Sequence, residues 1–219
     1  TDNLEKFELG MAAQKLYDFI WFEFCDWYIE LVKPRLYGED KNSKYAAQIT
    51  LANTLRSAMK LLHPFMPFIT EEIYLHLPKE SETIVTANWP TYDKEKDMPE
   101  EEIKMTIIMD AIKSIRNLRA EMNVIPSRKA KTIIITEDNN IKSALEEGKV
   151  YFEKLASASE VTIISNKESV PQDSVTAVIS GAEIYLPLED LVDKDKEVER
   201  LTKEKDNLQK ELDRVKGKL

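Results

Sequence analysis

Two prolines three residues apart interrupt an apolar block, LLHPFMPFITEEIY at residues 61–74, whose spacing otherwise reads as helix. Pro64 disfavours helical backbone at His63 and closes the preceding helix, whereas Pro67 suits the first turn of a new one, where a missing N–H costs nothing. The block therefore encodes a corner between two helices folded back on each other. Beyond it Phe65, Ile69, Ile73 and Leu77 recur every four residues and are expected to face inward, with Glu71 and Glu72 outward near the helix N-terminus.

The flanking sequence extends the helical reading. Residues 4–35 place Leu16, Ile20, Phe24, Trp27 and Leu31 on one face, with Asn3 as cap and Pro34 as stop. Residues 44–62 repeat the pattern through Ile49, Leu51, Ala52, Leu55, Met59 and Leu62. Residues 78–98 are polar, with a short extended piece, TIVTANWP, and read as a connection. A further helix begins near Pro99, with Glu100, Glu101 and Glu102 in its first turn and Arg116 and Arg119 in its last, matching the macrodipole at both ends. Its core stripe is Ile108, Ile112, Ile115, Leu118 and Met122, and Pro126 is its stop.

From residue 131 the period changes. KTIIIT (131–136), EVTII (160–164), SVTAVI (174–179) and EIYLP (183–187) are β-branched runs, with an amphipathic helix near 138–156 between the first two. From 191 onward Leu191, Leu201, Leu208, Leu212 and Leu219 join Val198 and Val215 at heptad positions interrupted by Lys194 and Lys205, a seam that needs a partner helix. The fold class is mainly α: a helical bundle over 1–125, a small α+β unit over 126–188, and a coiled-coil helix over 189–219. With no second arm after Leu219, a truncated hairpin is the favoured reading, and a lone seam helix is expected to pair with a neighbouring molecule or fray.

Several function classes are excluded. No run approaches the roughly 20 apolar residues of a membrane span, and the acidic start TDNLEKFELG lacks a signal peptide's basic and apolar regions, so the chain reads as cytoplasmic. One cysteine, Cys25, allows no internal disulfide, and with the separated His63 and His76 it offers no zinc site. The isolated glycines form no phosphate loop, and no catalytic signature is present. The net charge of −9 argues against broad nucleic-acid affinity. Local charge differs, because seven basic residues face two acids from Lys104 to Lys131.

Two groups of residues could nonetheless bind a polyanion. On an α-helix, positions 22, 26, 29 and 33 share a face, setting Phe22 and Ile29 beside Asp26 and Lys33; unstacked bases dock on such mixed surfaces. The competing role for that face is packing against another domain. Arg116, Arg119, Arg128 and Lys129 could contact phosphates at the end of the Pro99 helix, or simply be a solvated terminus. His63 and Cys25 read as packing residues, and the aromatic run Trp21, Phe22, Phe24, Trp27 and Tyr28 as mostly core.

FIWFEFCDWYIELVKPRLYG (19–38), LLHPFMPFITEEIYLHLP (61–78), the Trp-Pro pair at 89–90 and IRNLRAEMNVIPS (115–127) together resemble the valyl-tRNA synthetases, and the resemblance runs over essentially the whole chain. It implies that the bundle binds the tRNA anticodon, that the α+β unit links it to the coiled coil, and that Arg214 near the hairpin tip meets the outer corner of the tRNA. It also implies catalytic and editing domains upstream, because the family's H-x-G-H and K-M-S-K-S type motifs are absent, and a missing first bundle helix. The fragment would hold no cofactor, and ATP and Mg²⁺ would serve the parent enzyme. Rival readings are the equivalent region of an isoleucine or leucine ligase, or a coiled-coil protein-interaction module.

Overall fold

The computed structural model describes residues 1–78, 80–191, 202, 205 and 207–210. The chain divides into two units, residues 1–97 and residues 98–219.

The first unit is helical. A short helix α1 (Asp2–Glu5) precedes α2 (Leu9–Asp18), a π-helical segment (Phe19–Tyr28), α3 (Ile29–Leu36), α4 (Lys41–Leu62) and α5 (Pro67–Leu75). The single helix expected from residue 4 is thus broken. Phe7 adopts φ 58°, and the Glu8 N–H reaches back to the Asn3 carbonyl at 2.8 Å, the closure that ends helices in a left-handed residue. Asn3 consequently lies within α1 rather than capping the long helix. Pro34 sits inside α3 instead of stopping it. A proline removes only its own donor, and the Tyr37 N–H still bonds the Lys33 carbonyl at 3.0 Å. Asp40 caps α4 through the Asn42 and Ser43 amides.

The proline corner forms as the sequence requires, with α4 ending at Leu62 and Pro67 at the start of α5. Its inner face is rotated from the expected one. Ile69 is 48% exposed, while Thr70 and Tyr74 are buried. Both bury polar atoms with partners, which removes the usual cost. The Thr70 hydroxyl donates to the Met66 carbonyl and lies 2.8 Å from His63 Nδ1, and the Tyr74 hydroxyl lies 2.9 Å from Ser81 Oγ. Glu71 does not simply face outward: its carboxylate accepts from Thr83 Oγ1 and the Ile84 amide. The expected extended piece is a 3-10 turn at Ile84–Thr86. Ile84 joins Ala58, Met59 and Tyr74 in a core flanked by Phe19, Ile20, Leu55 and Ile73.

The second unit opens with α6 (Pro99–Glu121), which buries Ile108, Ala111, Ile112, Ile115 and Leu118. It stops before Pro126 because Asn123 turns left-handed at φ 51°, letting the Val124 N–H bond the Arg119 carbonyl at 2.9 Å. Strands β1 (Ala130–Ile135), β2 (Ala158–Ile164), β3 (Ser174–Ile179) and β4 (Ala182–Pro187) follow, near the expected limits. The helix between the first two is split at Gly148 into α7 (Asn139–Glu147) and α8 (Lys149–Leu155).

The sheet order is β2-β1-β4-β3, with β1 and β2 parallel across the α7–α8 crossover and the other pairs antiparallel. Ile134, Ile184 and Leu186 are fully buried, and α6 packs on β3, β4, α7 and α8. A helix α9, described over Leu188–Leu191, packs on β1 and β4 and buries Leu191. The heptad seam beyond Leu191 lies almost entirely outside the described residues, as does Arg214; of the seam positions described, Leu208 is exposed.

Candidate nucleic-acid interface

Phe22, Asp26, Ile29 and Lys33 were expected on one face by counting in α-helical turns. The π-helical winding of Phe19–Tyr28 alters that count, since successive turns meet at i and i+5. Ring pairs occur at both spacings: Tyr17 and Phe22 stand edge-to-face at 6.1 Å and Phe19 and Phe24 are tilted at 6.5 Å, each five residues apart, whereas Tyr17 and Trp21, and Phe24 and Tyr28, are four apart. Phe22 and Asp26 still lie close to one face, but the wider turn rotates that pair away from the pair 29/33. Phe22 is 54% exposed and Asp26 exposed, whereas Ile29 and Lys33 are half-buried. The Lys33 ammonium is paired with Glu30 at 2.5 Å.

The exposed rings here are Tyr17, Trp21 and Phe22. Tyr17 and Trp21, with ring centroids 6.3 Å apart, line a shallow groove of about 420 Å³ that continues along Gly10, Ala13, Leu62 and Met66. Sequence reasoning placed Trp21 in the core and passed over Tyr17. Their four-residue spacing was the available signal, and it was masked by a run apolar on every side. Phe24 alone of the run is buried. His63 is half-buried and occupied by Thr70, and Cys25 is half-buried.

In the second unit Arg116, Arg119, Arg128 and Lys129 cluster around the loop after α6, and three of them donate to backbone carbonyls. Arg116 Nε bonds Leu155 at 2.6 Å. Arg119, only 7% exposed, reaches the Arg128 carbonyl at 2.6 Å and that of Ile125 at 3.4 Å. Burial pushes its guanidinium pKa down from the ordinary value. Arg119 Nη1 has no partner among the described residues, and the α6 carbonyl terminus offsets its charge. Arg128 Nε meets the Asp190 carbonyl at 2.5 Å, and its Nη2 meets that of Glu189 at 3.2 Å. Lys129 is exposed.

Other basic residues of that stretch are held by neighbouring acids: Lys104 by Glu101 at 3.2 Å, Lys113 by Asp110 at 3.5 Å and Lys131 by Glu160 at 4.0 Å. Among the described residues no three His, Cys, Asp or Glu side chains stand together as metal ligands, and no helix is long and apolar enough to cross a membrane.

A helical unit presenting aromatic rings, followed by an arginine-braced loop, has the chemistry of a binding module. Residues 1–135 match a family model described as the anticodon-binding domain of tRNA ligase, and the chain belongs to that family. Over its full length it is 55% identical to valine--tRNA ligase of Clostridium acetobutylicum and 55% identical to that of Clostridium perfringens. Over 201 residues, 92% of the chain, it is 58% identical to the Clostridium tetani enzyme. The chain spans about a quarter of the length of these relatives, 25%, 25% and 23%.

Proposed function

We propose that the chain is the tRNA-binding, C-terminal portion of a cytoplasmic valine--tRNA ligase. The observation that carries this reading is identity of 55% over all 219 residues, to relatives that bear that name. Residues 1–125 bind the anticodon arm, 126–188 link, and 189–219 supply the first arm of a coiled coil, with Arg214 meeting the tRNA corner. Valine activation with ATP and Mg²⁺ belongs to upstream catalytic and editing domains of the parent.

In this reading unstacked anticodon bases pack on Phe22 with Asp26 reading an edge, and Tyr17 and Trp21 widen the apolar platform. Ile29 and Lys33, turned away from Phe22 and Asp26, lie outside this platform. Phosphates meet Lys129, in the loop that Arg128 braces beside Arg116, fixing register without reading sequence. Arg119 acts through the loop it holds. Binding energy gathered here aligns a distant acceptor end with the reaction centre.

A filter-binding titration tests it. Saturable, salt-sensitive binding to a valine tRNA transcript, weakened when the anticodon is replaced, is expected; equal affinity for both transcripts contradicts the reading.

A further inference from the structure

A buried cation needs hydrogen-bond acceptors and a counter-charge, and Arg119 has only the first. Its Nη2 donates to the carbonyls of Ile125 and Arg128, main-chain dipoles that engage the guanidinium without cancelling its charge. Among the described residues no acid pairs with it, and burial alone accounts for its lowered pKa. Lys60, buried to nearly the same degree, is met by Glu80 at 2.7 Å. Holding a cation out of water without a counter-charge costs stability, and the α6 dipole offsets only part of that.

The charge lies under one loop. Residues 122–129 leave α6 through Asn123 at φ 51°, turn where the Arg128 N–H bonds the Ile125 carbonyl at 3.1 Å, and end at the exposed Lys129. The Arg128 carbonyl carbon is bonded to the Lys129 nitrogen. Arg119 Nη2, 2.6 Å from that carbonyl oxygen, therefore stands within roughly 5 Å of the Lys129 backbone. Arg128 adds a second guanidinium bonded to carbonyls, those of Glu189 and Asp190, while the Asp190 carboxylate accepts from the Lys131 N–H. From 119 to 129 the sequence holds three cations and one acid, Glu121, so positive charge is in excess there.

We propose that the loop between α6 and β1 is a site for RNA phosphate in which Lys129 makes the contact and Arg119 is a positioning residue, shaping the loop through two carbonyls and lending it a charge that the fold leaves uncancelled. This rests on the reading that the chain binds tRNA, but the charge is measurable without RNA. In the 219-residue chain carrying Cys25→Ser, a thiol introduced by Lys129→Cys reports the local potential through the pH dependence of its alkylation. Its pKa is expected about one unit below the ordinary value of about 8.5 at low salt, and close to that value in about 1 M salt. Arg119→Gln keeps a donor for the carbonyls and removes the charge, so it should raise the thiol pKa; Arg119→Lys keeps the charge and should leave it low. A thiol at the ordinary value, or one that Arg119→Gln does not move, overturns the proposal. Should circular dichroism find Arg119→Gln unfolded, the salt dependence in the Lys129→Cys chain decides.

With Lys129 in place, Arg119→Gln is expected to weaken binding of a valine tRNA transcript several-fold at about 50 mM salt and scarcely at about 300 mM, and Arg119→Lys to restore it. A merely structural loss would be the same at both salts, and equal losses, or none, overturn the phosphate site. Salt-sensitive binding that needs Arg119 yet ignores the anticodon upholds this site and contradicts the tRNA-ligase reading, because phosphate contacts carry no sequence.

Discussion

Lys60, 8% exposed near the end of α4, is reached by the Glu80 carboxylate, with Nζ 2.7 Å from Oε2. The other oxygen of Glu80 lies 2.9 Å from Arg56, which also donates to the Pro78 carbonyl. A hydrogen bond from Lys60, helped by the charge of Arg56, holds the Glu80 carboxyl below its ordinary 4.5. A depressed carboxylate binds its proton less readily in the folded state, so this stabilisation is present above the unfolded value and is lost as pH falls through the folded one. Glu80→Gln is expected to cost about 1 kcal/mol at neutral pH, a modest figure because Glu80 is itself half exposed. Urea titrations between pH 3 and 7 check it, and the variant's deficit should shrink toward the acid end.

Thr70→Val tests the proline corner. The substitution keeps shape and removes the hydroxyl that faces His63 Nδ1 and bonds the Met66 carbonyl, leaving partly buried groups unsatisfied at about 1–2 kcal/mol. Thr70→Ser retains the hydroxyl and should recover most of the loss in chemical denaturation.

Gly148→Ala tests packing between α6 and the crossover helices. A β-carbon there would sit 2.8 Å from Ile108 Cγ1 and 2.9 Å from Cδ1, and Ile108 is buried with little room to move. Overpacking of this kind costs about 1–3 kcal/mol. Combined with Ile108→Ala, which empties that space, the two changes should be less destabilising than their separate costs added, because contacting sites couple.

Phe22→Ala should weaken binding of a valine tRNA by about 1–3 kcal/mol if a base stacks on the ring. Phe68→Ala, which removes a ring 91% exposed on α5, should leave affinity unchanged. Fluorescence anisotropy with labelled transcript separates the two outcomes.

Local chemistry explains how much of this was legible in the sequence. The corner at Pro64 and Pro67, the start of α6 at Pro99 and the four strands are written in residues whose backbone preferences act over one or two positions, and all appear where expected. Two features depend on longer-range satisfaction and a third on local winding. The inner face of α5 turns on whether Thr70 and Tyr74 find partners in His63 and Ser81. The fates of Arg119 and Arg128 turn on carbonyls as far as 62 residues away. The face expected to join Phe22 and Ile29 is lost to helical winding, and a run apolar on all sides gives no period from which π could be told from α.

The account's central claim is that the anticodon loop lies against the aromatic segment of the first unit. Photo-cross-linking with 4-thiouridine placed in the anticodon loop of a valine tRNA, followed by peptide mapping, tests it directly. The account predicts cross-links concentrated between Tyr17 and Lys33; cross-links confined to residues after Met98, or none above those of a tRNA with an unrelated anticodon, would contradict it.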